Sequence, residues 1–194
     1  MMFHVKHFRK INFQIPKMNT ELLLQNLRVV PDFPIKGIQF YDVTTLFKNP
    51  ACVKELGDAL YELYKDKGIT KVVGIESRGF ILGSILAERL NAGIILARKP
   101  GKLPAEVYEE SYGKEYGKDV IQIHKDAITE DDVVLIHDDL IATGGSLKAA
   151  YDLVQKFSPR KTYINVLMEL VDLKGRSMFD PSIEITSLLS LHGE

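Results

Sequence analysis

Val133-Val134-Leu135-Ile136-His137-Asp138-Asp139-Leu140-Ile141-Ala142-Thr143-Gly144-Gly145-Ser146 reads as an apolar strand, two adjacent carboxylates, and a short turn of small residues opening onto a helix. A continuous β-branched and apolar run suits a parallel strand covered on both faces, whose carboxyl end points into a ligand crevice. The turn from Ala142 to Ser146 frees backbone N–H groups at a helix N-terminus, a favourable place for a dianionic phosphate. Asp138 and Asp139 would repel that phosphate. They suit a neutral, hydroxyl-rich group attached to it, such as a ribose diol. Either half alone is more simply a solvated acid pair or a capped turn. Joined at this spacing, they predict a ribose 5-phosphate site. His137 interrupts the apolar run and is expected on the inner side of the strand, packed and hydrogen-bonded.

Outward from this stretch the chain alternates strands and helices. Asn19 or Thr20 caps an amphipathic helix whose buried side is Leu22, Leu23, Leu27 and Val30. Residues 31–37 are irregular, by their prolines and glycine, and 38–43 are short and extended. Helical spacing recurs over 50–66, with Val53, Leu56, Ala59, Leu60, Leu63 and Tyr64 inward. Strands are predicted at 71–75, 93–97, 120–123, 162–170 and 183–191. Helices are predicted at 79–90 (Phe80, Ile81, Ile85, Leu86 and Leu90 inward), at 145–157, and as a short polar segment near Lys174. Residues 99–118 are polar and rich in Gly and Tyr, which suggests a long functional loop with extended arms. Strand, helix, strand, helix is the order of an α/β fold, a mostly parallel sheet flanked by helices on both faces.

Three further clusters carry chemistry. Glu76-Ser77-Arg78-Gly79 follows a strand and opens a helix, so backbone N–H groups and a guanidinium converge as they would around a second phosphate. Arg98-Lys99-Pro100-Gly101-Lys102 places three cations at a strand end, suited to a polyanionic leaving group. In Ser111-Tyr112-Gly113-Lys114-Glu115-Tyr116-Gly117-Lys118, two glycines supply hinges and two tyrosines supply area to cover a ligand and exclude water.

The stretch at 133–146 resembles the phosphoribosyl diphosphate-binding motif of the type I phosphoribosyltransferases. The remaining clusters are similar to the adenine-specific members of that family, from about Met18 to the C-terminus. The resemblance implies the type I phosphoribosyltransferase fold, with a small N-terminal hood at about 18–48 and a flexible catalytic loop. By residue match, Asp138 and Asp139 would hold the ribose hydroxyls, while Ala142, Thr143, Gly144, Gly145 and Ser146 cradle the 5-phosphate. Ser77 and Arg78 would grip pyrophosphate, in a loop that in this family sometimes contains a strained peptide. Arg98, Lys99 and Lys102 would supply further cations, Arg98 reaching the neighbouring subunit's pyrophosphate site, which implies a homodimer. Glu115 would act at N7 of a purine, and Tyr116 would close over it. Phe40 and Leu140 would sandwich adenine, with the backbones of Gln39 and Tyr41 reading its edge. Tyr41 stands where some members carry Arg. The implied reaction converts adenine and phosphoribosyl diphosphate to AMP and pyrophosphate. Mg2+ would be held by substrate oxygens, with no direct protein ligand.

Composition agrees with a cytoplasmic enzyme. The 194 residues are 45% hydrophobic, enough for one domain with a sizeable core. A net charge of −1 gives no electrostatic case for nucleic acid or an anionic membrane, and so none for a regulator that senses the same ligand through a DNA-binding face. Cys52, the single cysteine, lies on an apolar helix face and can form no intramolecular disulfide. No apolar run is long enough to span a bilayer. Residues 1–17 are basic with scattered aromatics, and are expected to be a non-native or disordered extension ahead of a natural start at Met18. Phe3-His4-Val5-Lys6 can be encoded by TTTCACGTGAAA, a DNA palindrome, as translated regulatory sequence would be. A native N-terminus at Met1 by intact mass, together with loss of activity on trimming to Met18, would overturn this.

Overall fold

A computed structural model describes residues 17–114 and 117–192. Its centre is a five-stranded parallel sheet in the order β4-β3-β7-β8-β9. The strands are β3 (Lys71–Ile75), β4 (Gly93–Ala97), β7 (Val133–Ile141), β8 (Lys161–Leu170) and β9 (Ile185–Leu191). β7 lies in the middle and is buried along nearly its whole length, as its unbroken apolar run requires. Alternate residues feed two cores. Leu135 joins Val72 and Leu189 on the face covered by α3 (Pro50–Tyr64) and α4 (Gly79–Arg89). Val134 and Ile136 join Val73 and Ile164 on the face covered by α5 (Gly145–Gln155). Helices therefore do lie on both faces.

Several elements differ from expectation. The first helix, α1 (Thr20–Asn26), is capped by the Asn19 side chain but ends early. Leu27 is already extended, and Val30 falls in β1 (Arg28–Pro31), which pairs antiparallel with β2 (Gln39–Asp42). With α1 before it and a four-residue α2 (Thr44–Phe47) after it, this small ribbon fills the segment at 18–48. On α4 the buried stripe is Gly79, Leu82, Gly83, Leu86 and Ala87, while Ile81 is exposed. The glycines draw α4 onto the sheet: a Cβ on Gly83 would lie 3.7 Å from Gly74 Cα, and one on Gly79 only 2.8 Å from the carbonyl oxygen of His137. That close approach rotates the helix and turns Ile81 outward. The segment read as a long loop is largely a hairpin of β5 (Val107–Lys114) and β6 (Gly117–His124). The polar segment near Lys174 is two 3-10 turns joined by Lys174 in a left-handed conformation.

Candidate active site

β3 leads toward β4 on one side of the sheet, and β7 leads toward β8 and β9 on the other. Ligands of open α/β sheets bind at such a switch point, outside the carboxyl ends of the strands. Here the two loops are Glu76-Ser77-Arg78 after β3 and Ala142–Ser146 after β7. Between them lies a cavity of about 510 Å³, lined by Ser77, Arg78, Lys99, Asp138, Asp139, Leu140, Ala142, Thr143, Gly144, Gly145 and Ser146, all predicted from sequence. Its wall is completed by Tyr112 and Asp119 from the hairpin.

Asp138 and Asp139 lie within β7, not beyond its end, and both are buried. Burial, then the neighbouring charge of Asp139, raises the Asp138 carboxyl well above its ordinary value. Burial also raises Asp139, against the opposing pull of Arg78. Arg78 Nε lies 2.7 Å from Asp139 Oδ2. This approach supplies charge without hydrogen-bond alignment, so Oδ2 has no hydrogen-bond donor among the described residues. The same guanidinium sits 6.0 Å from the centre of the Phe40 ring, near the outer limit of a cation–π contact. Arg78 thus spans from the aromatic expected against the base to the acid expected against the diol.

The turn after β7 has a tight geometry. Gly144 adopts φ 87, and a Cβ there would run into the carbonyl oxygen of Gly175. Gly175 in turn could carry no side chain without striking the carbonyl oxygen of Ala142. The loop before α4 contains a cis Glu76–Ser77 peptide. Glu76 Oε2 accepts from the Lys99 backbone N–H at 2.9 Å and from Arg98 Nε at 3.3 Å, tying the basic strand end to this loop. Burial works against the Glu76 carboxylate, but these donors outweigh it and hold its pKa below the usual range.

Other predicted residues lie apart from the cavity. Arg98 turns toward Glu76 and the Lys102 carbonyl, and Lys102 is exposed. Phe40 is half-buried, edge-on to Phe33 at 5.1 Å. Tyr41 packs against the core, and its hydroxyl donates to the His192 carbonyl at 3.4 Å. Gln39 is exposed. Glu115 and Tyr116 lie outside the described residues. His137 is buried and only half-satisfied, contrary to expectation: its Nδ1 meets Asn165 Oδ1 at 2.9 Å, but Nε2 has no partner among the described residues. Glu76, Asp119 and Gly175 were not anticipated. An acid preceding Ser-Arg could have signalled Glu76, whereas Gly175 is remote in sequence and carries no local mark.

This fold and cavity are those of an α/β domain of the phosphoribosyltransferase class. The chain belongs to the family of the phosphoribosyl transferase domain, whose model matches residues 42–188. Within it, similar proteins include adenine phosphoribosyltransferases. That of Bacteroides thetaiotaomicron is 64% identical over 174 residues, covering 90% of this chain and 99% of its own. The crystal structure of adenine phosphoribosyltransferase from Rhodothermus marinus superposes with a TM-score of 0.82 at 47% identity, covering 88% of this chain and 97% of that one. The Saccharomyces cerevisiae enzyme, complexed with adenine and D-2,5-dideoxy-2,5-imino-altritol 1,6-bisphosphate, gives a TM-score of 0.82 at 42% identity, with coverage of 87% and 97%.

Proposed function

We infer that this chain is a purine salvage enzyme that transfers the 5-phosphoribosyl group from phosphoribosyl diphosphate to adenine, releasing AMP and pyrophosphate. The observation that carries this reading is the meeting, in one cavity, of a phosphate turn, a buried acid pair and Arg78. The S. cerevisiae relative was crystallised with adenine and a bisphosphate, ligands of the kind this cavity suits.

In the proposed mechanism the 5-phosphate seats on the N–H groups from Ala142 to Ser146, and this remote binding fixes C1 of the ribose against N9 of the base. Asp138 and Asp139 hold the diol and set negative charge near the developing ribosyl cation. The C1–O bond breaks with its electron pair leaving on pyrophosphate, which Arg78 and Lys99 meet. N9 of the N7–H tautomer of adenine forms the new bond to C1, and Glu115 accepts the proton released from N7. Phe40 and Leu140 bracket the base. Among the described residues no three His, Cys, Asp or Glu side chains gather as a ligand set. Asp138 and Asp139, the acid pair of the cavity, would stand beside the diol of a substrate that brings Mg2+ with it. When bound, the ion neutralises charge on the leaving group. We further propose a homodimer, with Arg98 serving the partner's site, and a cytoplasmic location. No helix among the described residues is long and apolar enough to cross a membrane.

A pyrophosphate-release assay across purines tests the assignment. Backbone groups facing the 6-amino edge would be left unpaired by a 6-oxo base, at a cost of about 1–3 kcal/mol each. Hypoxanthine and guanine should therefore fall below adenine in kcat/KM by at least roughly 100-fold. Comparable turnover of hypoxanthine would move the chain to the 6-oxopurine enzymes.

A further inference from the structure

The turn after β7 is backed by a glycine from a distant part of the chain. Gly144 and Gly175 lie so close that neither has room for a side chain: a Cβ on Gly144 would strike the Gly175 carbonyl oxygen, and one on Gly175 would strike the Ala142 carbonyl oxygen. Backbone therefore faces backbone, with no flexible side chain between them to absorb a shift. Gly144, at φ 87, has wide conformational freedom of its own, so what packs against it decides whether the turn keeps one shape.

Gly175 does not reach this place by local preference. Lys174, immediately before it, holds φ 52, a left-handed conformation that a residue with a Cβ keeps only where tertiary contacts impose it. Arg176, immediately after it, makes such contacts. Its Nε and Nη2 donate to Oε1 and Oε2 of Glu169 on β8, both at 2.7 Å, in a bidentate pair. Nη1 donates to the Ile185 carbonyl at 2.5 Å and Nη2 to Ser187 Oγ at 3.2 Å, both on β9. Ser187 Oγ donates in turn to Glu169 Oε2 at 3.1 Å. Glu169 is buried, so water competes little for this pair. One guanidinium thus ties the segment to two strands. Further along, buried Phe179 packs edge-on against Tyr151 of α5 at 6.1 Å. The segment carrying Gly175 is held both to the sheet and to the helix that the turn opens.

We propose that Arg176 is a positioning residue for the 5-phosphate subsite. Clamped to β8 and β9, it seats Gly175 against Gly144 and fixes the N–H groups from Ala142 to Ser146 in the arrangement that receives the phosphate. This rests on the phosphoribosyl reading of the cavity. Arg176 is not among the residues that line the cavity, so it acts through Gly175 and not on the ligand. A turn already held in its bound shape binds without the cost of ordering itself. That gain falls on the substrate that carries the 5-phosphate. Adenine, expected against Phe40 and Leu140, gains nothing from it.

Steady-state kinetics of the full chain, with phosphoribosyl diphosphate and adenine varied in turn, test this. Arg176→Met keeps the reach of the side chain and removes its donors. Its KM for phosphoribosyl diphosphate should rise about tenfold, with KM for adenine within about twofold of the parent. Hydrogen exchange of the ligand-free variant should quicken in the peptide spanning 142–146 and stay unchanged in β3. Should the Met variant fail to fold, Arg176→Lys makes the same comparison. It keeps the charge but cannot fork onto Glu169 and the β9 groups together, so it should raise KM for phosphoribosyl diphosphate about threefold. Equal rises in both KM values, an unchanged KM for phosphoribosyl diphosphate, or exchange that quickens throughout the sheet would each overturn the positioning role while leaving the enzyme reading in place. A parent chain inactive on adenine would overturn the phosphoribosyl reading, and this role with it.

Discussion

Nε of Arg78, just before α4, lies 2.7 Å from Oδ2 of Asp139 on β7. The cation proposed for pyrophosphate and an acid proposed for the diol are thus engaged with each other. On the proposed mechanism, substrate binding would be an exchange in which pyrophosphate takes Arg78 and the ribose hydroxyls take Asp139. The pair also offsets part of the burial that drives Asp139 toward its neutral form.

Arg78→Ala should therefore act twice. Turnover should fall by at least roughly 100-fold, the usual effect of removing one electrostatic donor. The ligand-free chain should lose about 1–3 kcal/mol in denaturant melts, below the 3–5 of a fully buried pair because the Arg78 side chain is 35% exposed. Undiminished stability would mean that the pair is incidental.

Asp138→Asn should stabilise the protein while abolishing activity. The folded-state pKa of Asp138 is raised, first by burial and then by the charge of Asp139. The folded state therefore holds protons that the unfolded chain releases, and stability falls as pH rises through the folded value. The Asn variant escapes that loss and can still accept from the Asp139 N–H, which bonds Asp138 Oδ1 at 2.9 Å. Its Tm should exceed the parent's by about 2–6 °C at pH 8, with the gap closing toward pH 4. Thermal melts at the two pH values check the sign.

His137 predicts acid sensitivity of the opposite sense. Burial lowers its pKa from 6.5 to about 4, against the opposing bond to Asn165. The unfolded chain takes up a proton that the folded chain refuses, so stability is lost as pH falls from 6.5 to about 4, by about 3 kcal/mol in all. His137→Phe leaves Asn165 Oδ1 without its partner at every pH. It should nevertheless flatten this slope, as stability measured at several pH values will show.

Neighbouring glycines in the turn should respond differently. Gly144→Ala combines a left-handed φ with a collision against Gly175, and should cost several °C in Tm and disorder the phosphate site. Gly145→Ala meets only ordinary contacts with Tyr112 and Gly113, so its fold should survive. Melting curves of the two variants distinguish these cases.

Glu115→Gln should keep phosphoribosyl diphosphate binding and lose most turnover, because it removes a proton-handling group and not an anchor. A raised KM with unchanged kcat would show that Glu115 has another role.

The run from Val133 to Ser146 declared a buried parallel strand, a phosphate turn and their junction, because apolar continuity and small-residue turns are local properties of a chain. Helix α3 and the strands around it were legible for the same reason. Local pattern failed where a distant partner made the choice. Val30 left the helix because it pairs with Phe40 in β2. Ile81 turned outward because Gly79 and Gly83 let α4 press onto β3 and β7. The acid pair's residue type was readable, but its protonation depends on burial within β7 and on Arg78, which arrives from another strand's end. Tyr112 could be seen as a ligand-covering residue, yet its place in the cavity wall follows from the docking of β5 on α5. Sequence determined which chemical groups stand at each strand end. Only the tertiary structure decided which of them face one another, since distance and desolvation between remote residues are set by packing.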